Sequence, residues 1–234
     1  MLTLLSWASF LSYLVALAIL WQYTTQSDKH TATRRSTIII ATVVGVIFHA
    51  LELYVRVINS QVPGTGFSMS LGHSISLIAL VVTVMFVLIS MVRATVNLGL
   101  AILPTALLAL LAGRWLNPAH EAISIAHPGF EWHIVLGITT FALLSLAFAQ
   151  SLLILVQEKQ LKAHMHAPSG ISLVSLPALQ SMETLLFQIL WLGFVVLSLT
   201  LVLGILVKRS AYGIVLLFNH HIVLTLLTWL AYAI

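Results

Sequence analysis

Long runs of apolar residues, separated by short polar segments, make up most of the chain. A membrane-spanning helix needs about 20 consecutive apolar residues. Runs close to this length cover residues 3–22, 37–58, 69–91, 98–113, 132–156, 184–207 and 213–234. Outer-membrane barrels show instead an alternation of polar and apolar positions in segments of about ten residues. The pattern therefore predicts an all-α polytopic bundle of about seven transmembrane helices that forms a single integral membrane domain over residues 1–234.

The composition supports a protein of the lipid bilayer and excludes several other classes. The chain is 60% hydrophobic and 7% charged, whereas a soluble globular domain carries about 25% charged residues. A soluble enzyme and a disordered chain are both excluded. The sequence has no cysteine, which excludes disulfides, iron–sulfur clusters and covalent haem attachment. It also lacks G-x-S-x-G, G-x-x-x-x-G-K and H-E-x-x-H motifs. We therefore predict no enzymatic activity.

The positive charges indicate how the chain is oriented. Six of the ten Lys and Arg residues fall in alternate loops: Lys29, Arg34, Arg35, Arg93, Lys159 and Lys162. The opposite side holds Arg56, Arg114, Lys208 and Arg209. Because Lys and Arg accumulate in cytoplasmic loops, we expect the N-terminus outside and the loop 157–183 in the cytoplasm. In a membrane protein the net charge of +4 reflects such loops, and no nucleic-acid partner is predicted.

One acidic residue, Glu52, lies within a predicted span. Ionisable groups inside a membrane are functional-site candidates because their desolvation is costly. His49, Glu52 and Arg56 lie three and four residues apart, on one helix face. One interpretation is a relay in a small transporter. The other is a self-satisfied trio, in which Glu52 neutralises Arg56 and accepts a hydrogen bond from His49.

Several of the ten histidines lie near the predicted outer face. His73 is close to the outer end of the third span, His133 begins the fifth, and His220 and His221 lie in the outer half of the seventh. Neutral imidazole is a common axial ligand of haem iron, so these side chains could converge on a haem. On spacing alone, a hydrogen-bonded core or interface histidine is the simpler interpretation of each.

Four segments together resemble the cytochrome c assembly membrane family, in its CcsA/HemX/YpjD branch. Residues 132–144 resemble the family helix that begins with an outward-facing histidine, and residues 66–77 resemble its F-x-L-x-N-x-x-x-S-L segment. Residues 219–234 resemble its D-P-K-E-x-W-x-x-x-T-W-x-x-Y-A helix, and residues 48–51 resemble the YpjD branch. The chain ends at Ile234 without the family's last helix, so we expect a C-terminally incomplete member.

The resemblance implies a haem-handling protein of a bacterial inner membrane that supports cytochrome c biogenesis. His133 matches the family's haem-ligand histidine and would bind haem b without a covalent bond. His73, His220 or His221 would supply the second ligand. Apocytochrome or other assembly proteins would be its partners.

A second function remains open. Residues 208–213 replace the family's tryptophan-rich W-G-x-x-W-x-W-D loop, on which haem presentation to apocytochrome depends. A HemX-like regulatory or scaffolding protein without haem, which acts through the loop 157–183, is therefore the alternative, and the transporter is a third.

Overall fold

The computed structural model describes the backbone of residues 2–25, 31–59, 71–93, 95–116, 130–164, 178–212 and 220–233. Side chains are described for the same residues, except that four of these ranges are shortened to 33–56, 132–162, 178–210 and 222–233.

All of the regular structure in these ranges is helical. The helices are α1 (Leu2–Thr25), α2 (Thr31–Asn59), α3 (Leu71–Val92), α4 (Gly99–Trp115), α5 (Phe130–His164), α6 (Leu179–Tyr212) and α7 (His220–Ala233), with a 3₁₀ turn before α4. The first six are long and apolar enough to cross a membrane, and α7 is a shorter apolar helix. The prediction of a polytopic helical bundle is confirmed.

Several helices extend beyond their predicted spans: α2 begins at Thr31 rather than at residue 37, and α6 covers Leu179–Tyr212 rather than 184–207. The helix α5 continues to His164 and α6 begins at Leu179, so both ends of the predicted loop 157–183 are helical. The helix α7 is described from His220, and residues 213–219, with which the seventh predicted span begins, lie outside the described residues. The central part of the predicted loop, residues 165–177, also lies outside them.

Side-chain contacts show which helix ends lie together. Ser6 near the start of α1 bonds to Glu52 near the end of α2. His49 bonds to Ser76, which is early in α3. At the opposite end, Arg35 donates to the carbonyl oxygens of Ser90 and Arg93, so the start of α2 meets the end of α3.

The later helices follow the same antiparallel order. Arg93 at the end of α3 donates to Gln188, near the start of α6. Thr140, near the start of α5, contacts Thr200 in the second half of α6. The starts of α1, α3 and α5 therefore lie at one end of the bundle, which we call the N-terminal end. Trp229, near the end of α7, donates to the hydroxyl of Ser198 in α6, so the start of α7 lies toward the same end as Tyr212.

Two apolar cores hold the bundle together. One lies between α1, α2 and α4 and is built around Tyr13, Leu20 and Leu103. The other joins α3, α5 and α6 around Phe86 and Leu146. Many large apolar side chains remain on the outside of the bundle, as expected where the surrounding medium is lipid.

Candidate functional site

A polar cluster lies inside the N-terminal end of the bundle, on the face of α2 that carries His49, Glu52 and Arg56. His49 is fully buried and Glu52 is 3% exposed. Arg56 donates a hydrogen bond to Glu52 and forms an ion pair with it. The pairing predicted from the four-residue spacing is confirmed.

The ion pair also connects α2 to two other helices. The hydroxyl of Ser6 on α1 donates to Glu52 Oε1 at 2.8 Å. Arg56 Nη1 donates to the carbonyl oxygen of Gly113, in the last turn of α4, at 2.8 Å. A buried ion pair is tolerated when further hydrogen bonds satisfy its members, and these two contacts provide such bonds. The pair therefore ties α1, α2 and α4 together.

His49 has different partners from those predicted. Its Nδ1 atom is 3.3 Å from the hydroxyl oxygen of Tyr13, and its Nε2 atom is 2.8 Å from that of Ser76. The predicted hydrogen bond from His49 to Glu52 is wrong, because both imidazole nitrogens contact hydroxyls on neighbouring helices. His49 thus joins α1 and α3, while Glu52 and Arg56 join α1 and α4.

Tyr13, which was not predicted from the sequence, completes the cluster on α1. Its ring packs closely against Gly45: a Cβ atom at that position would be 2.5 Å from Tyr13 Cδ1 and Cε1. Ser9 donates to the carbonyl oxygen of Gly45 at 3.2 Å, which confirms the close approach of α1 and α2. Ser6, Ser9 and Tyr13 are spaced three and four residues apart, and this polar face of α1 was the signal available in the sequence.

His73 lies beside this cluster. It is in the first turn of α3 and is 5% exposed, and it lies within electrostatic range of Arg56 and Glu52. The predicted ligand His73 is thus a buried residue at the N-terminal end.

His133 lies between α5 and α6 at the same end of the bundle. It is half-buried, and its imidazole fits against Gly204: a Cβ atom there would be 2.9 Å from His133 Cε1. His73 therefore lies near the charged residues of α2, whereas His133 lies against α6. His220 and His221 begin α7, but their side chains lie outside the described residues.

An apolar cavity of about 780 Å³ lies deeper in the bundle. It is enclosed by α3, α4 and α5, with Thr228 of α7 at one side. Its volume is typical of a small-molecule site. None of its lining residues is a histidine, methionine or cysteine, the side chains that bind haem iron most often.

His133, the haem ligand predicted from the sequence, does not line this cavity. Imidazole is a suitable axial ligand, and the space left by Gly204 holds the ring of His133 at the helix interface. The described side chains contain no cluster of three or more His, Asp or Glu residues that could hold a bare metal ion.

Comparison with protein families gives one match. The family profile described as "Cytochrome C assembly protein" matches residues 47–234. This range begins near the end of α2 and includes every later helix. Comparisons with curated proteins and with solved structures give no significant match.

Proposed function

The chain belongs to the cytochrome c assembly protein family, which supports a role in cytochrome c biogenesis, and from this premise we propose that it binds haem non-covalently through His133. The position of His133 carries the proposal: the residue is half-buried near the start of α5, with its ring against Gly204. When bound, haem b would supply the iron chemistry. The chain would bind the group, orient it and shield one of its faces.

The second ligand would come from the same end of the bundle. His73 lies in the first turn of α3, and His220 and His221 lie in the first turn of α7. We propose that this end faces the periplasm of a bacterial inner membrane. The end of the bundle with Arg34, Arg35, Arg93, Lys159 and Lys162 would then face the cytoplasm, in accordance with the positive-inside rule. Apocytochrome or another assembly protein would meet the haem at the periplasmic face.

Replacing His133 tests the haem proposal. We expect the purified protein to give a b-type reduced-minus-oxidised absorption spectrum, and His133→Ala to lower the affinity for added hemin at least about tenfold because an axial ligand is lost. His164→Ala, at the other end of α5, is the control and should bind hemin like the wild type.

Two results of this experiment would contradict the proposal. If the wild type shows no Soret band, even after addition of hemin, the protein does not bind haem. If His133→Ala keeps the full signal, the ligand must be sought at His73, His220 or His221.

Replacing Gly204 tests whether α6 positions the His133 ring. The methyl group of Gly204→Ala would lie 2.9 Å from His133 Cε1, so the imidazole must move. We expect severalfold weaker hemin binding and altered g values in the electron paramagnetic resonance spectrum of the ferric haem. Gly137→Ala, where the added atom meets nothing closer than 4.0 Å, should change neither. Wild-type g values and affinity in Gly204→Ala would show that the contact does not position the ligand.

One observation favours the HemX-like alternative. The helix α6 continues through residues 208–212 to Tyr212, where full members of the resembled family carry a tryptophan-rich loop. A scaffold without haem would instead recruit its partner through the loop 157–183. Replacing residues 165–177 by a Gly/Ser linker of equal length should then abolish co-purification of assembly proteins, and unchanged co-purification would exclude this function.

A further inference from the structure

Three buried hydrogen-bonding groups of the described side chains have no partner where the start of α2 meets the end of α3 and the start of α4. They are the Nε atom of Arg35 and the hydroxyls of Ser90 and Thr95. Ser90 is fully buried and Thr95 is half-buried. Buried polar groups in folded proteins nearly always have a partner, so groups without one require an explanation. We call these three residues the junction cluster.

Hydrogen bonds to the backbone hold the junction cluster together. Arg35 Nη2 donates to the carbonyl oxygen of Ser90 at 2.7 Å and to that of Arg93 at 3.0 Å. The backbone N–H of Thr95 donates to the same oxygen of Arg93 at 2.9 Å. Arg35 and Thr95 therefore share one acceptor, and Ser90 precedes that acceptor by three residues, on the same face of α3. The three residues of the cluster are thus close neighbours.

The two hydroxyls of the cluster differ from other buried hydroxyls in these helices. Thr83, two turns before Ser90 in α3, donates to the carbonyl oxygen of Ala79 in its own helix. Such a bond satisfies a hydroxyl within an apolar helix. Ser90 does not form it, and Thr95 precedes the 3₁₀ turn without capping it. Both hydroxyls are therefore available to a ligand.

The available groups are suited to an anion. An arginine Nε atom can only donate a hydrogen bond, and a hydroxyl can donate one. Thr95 immediately precedes a helical segment that extends from Val96 to Trp115, and the start of a helix carries partial positive charge and free N–H groups. Arginine, hydroxyls and the N-terminus of a helix are typical ligands of phosphate.

The charges around the cluster also favour an anion. Among the described residues, Arg35 bonds to carbonyl oxygens and to no carboxylate. The described carboxylates at this end of the bundle are Glu158, which pairs with Lys162, and Glu183, which is exposed. The positive charge of Arg35 is therefore not neutralised by either of them.

The cluster lies at the depth of the lipid headgroups. Each of its residues is within two residues of the end of a membrane-spanning helix. Val92, which is between Ser90 and Thr95 in the chain, is 81% exposed. A phosphate group can reach this depth as the headgroup of a phospholipid or as a free anion from the aqueous phase.

We propose that the junction cluster binds a phosphate group. The Nε atom of Arg35 and the hydroxyls of Ser90 and Thr95 donate to its oxygens, and the start of the helical segment that contains α4 stabilises its charge. Phospholipid headgroups and free phosphate share this chemistry, and the test distinguishes them. The proposal does not depend on haem binding at His133, which lies at the other end of the bundle.

The test uses the full chain, purified in dodecyl maltoside. Isothermal titration calorimetry with inorganic phosphate measures binding of the free anion, and native mass spectrometry counts the phosphatidylglycerol molecules retained. At least one of these two probes should bind at one site per chain. Ser90→Ala should weaken that binding about tenfold, because a hydrogen bond to a charged group is lost. Arg35→Lys should weaken it similarly, because it keeps the charge and removes the Nε donor.

The stability of Ser90→Ala distinguishes a binding role from a structural one. In protein depleted of phosphate and lipid, the hydroxyl of Ser90 has no partner to lose. Its removal should therefore leave the midpoint of unfolding by SDS at or above that of the wild type. The matched control is Thr83→Val, which removes a buried hydroxyl bonded within α3 and should bind both probes like the wild type.

The two probes identify the source of the phosphate. Binding of inorganic phosphate that is weakened in Ser90→Ala identifies a soluble ligand. Retention of phosphatidylglycerol alone, again weakened in Ser90→Ala, identifies a lipid headgroup.

Three outcomes would overturn the proposal. The first is a wild type that binds neither probe. The second is binding in both Ser90→Ala and Arg35→Lys equal to that of the wild type, which would leave water as the partner of these groups. The third is a lower stability of Ser90→Ala without ligand, because the hydroxyl would then have a partner within the chain.

Discussion

Replacing Glu52 by glutamine should destabilise the protein by about 3 kcal/mol. The substitution leaves the Arg56 guanidinium without its carboxylate among α1, α2 and α4, and removing one member of a buried pair costs about 3–5 kcal/mol. We expect the lower end of that range because the Arg56 side chain is 19% exposed, and a long cationic side chain can extend toward water. Unfolding by SDS in mixed micelles, followed by far-ultraviolet circular dichroism, measures the loss.

The control for this experiment is an ion pair of the same spacing elsewhere in the chain. Glu158 pairs with Lys162 four residues later, but both side chains are largely exposed. Exposed pairs contribute little to stability, so Glu158→Gln should unfold within error of the wild type. Equal losses of unfolding free energy in the two variants would show that the effect of Glu52→Gln does not come from the burial of its ion pair.

The double variant Glu52→Gln/Arg56→Gln separates the ion pair from the loss of individual charges. With both charges removed, no uncompensated ion remains, and the double variant should be more stable than Glu52→Gln alone. If the two losses simply add, the residues act independently. The same series tests the transporter hypothesis: a relay would lose transport activity in Glu52→Gln without a loss of stability.

The helices could be predicted from the sequence because their signal is local. Apolar length predicted about seven spans and their order, of which six are long helices and α7 is a shorter one. The four-residue spacing predicted the Glu52–Arg56 pair. The start of the seventh span stays a prediction, because residues 213–219 lie outside the described residues.

The partners of the candidate residues could not be predicted, because they come from other helices. His49 contacts Tyr13 and Ser76 because of the way α1 and α3 pack against α2. The contact of His133 with Gly204 depends in the same way on the α5–α6 interface. The cavity could not be predicted from the sequence either, because the small residues around it are common in apolar helices and their neighbours were not known.

Adding a methyl group at Gly45 should destabilise the contact between α1 and α2. A Cβ atom at this position would be 2.5 Å from two atoms of the Tyr13 ring and 3.3 Å from Ser12 Cβ. Overpacking of this kind costs about 1–3 kcal/mol. That loss exceeds the gain of about 1 kcal/mol that alanine brings to a helix interior. Gly45→Ala should therefore unfold at a lower SDS fraction than the wild type, despite its higher helix propensity.

Two controls show whether the clash with Tyr13 causes the loss of stability in Gly45→Ala. Gly137→Ala, with open space around the new atom, should be neutral or stabilising because only helix propensity changes. In the background Tyr13→Ala, the substitution Gly45→Ala should likewise cost nothing, since the ring that it meets is gone. A loss at Gly45 that persists without Tyr13 would place the cause elsewhere. A loss that disappears would establish that the glycine is needed where Tyr13 reaches across the interface to His49.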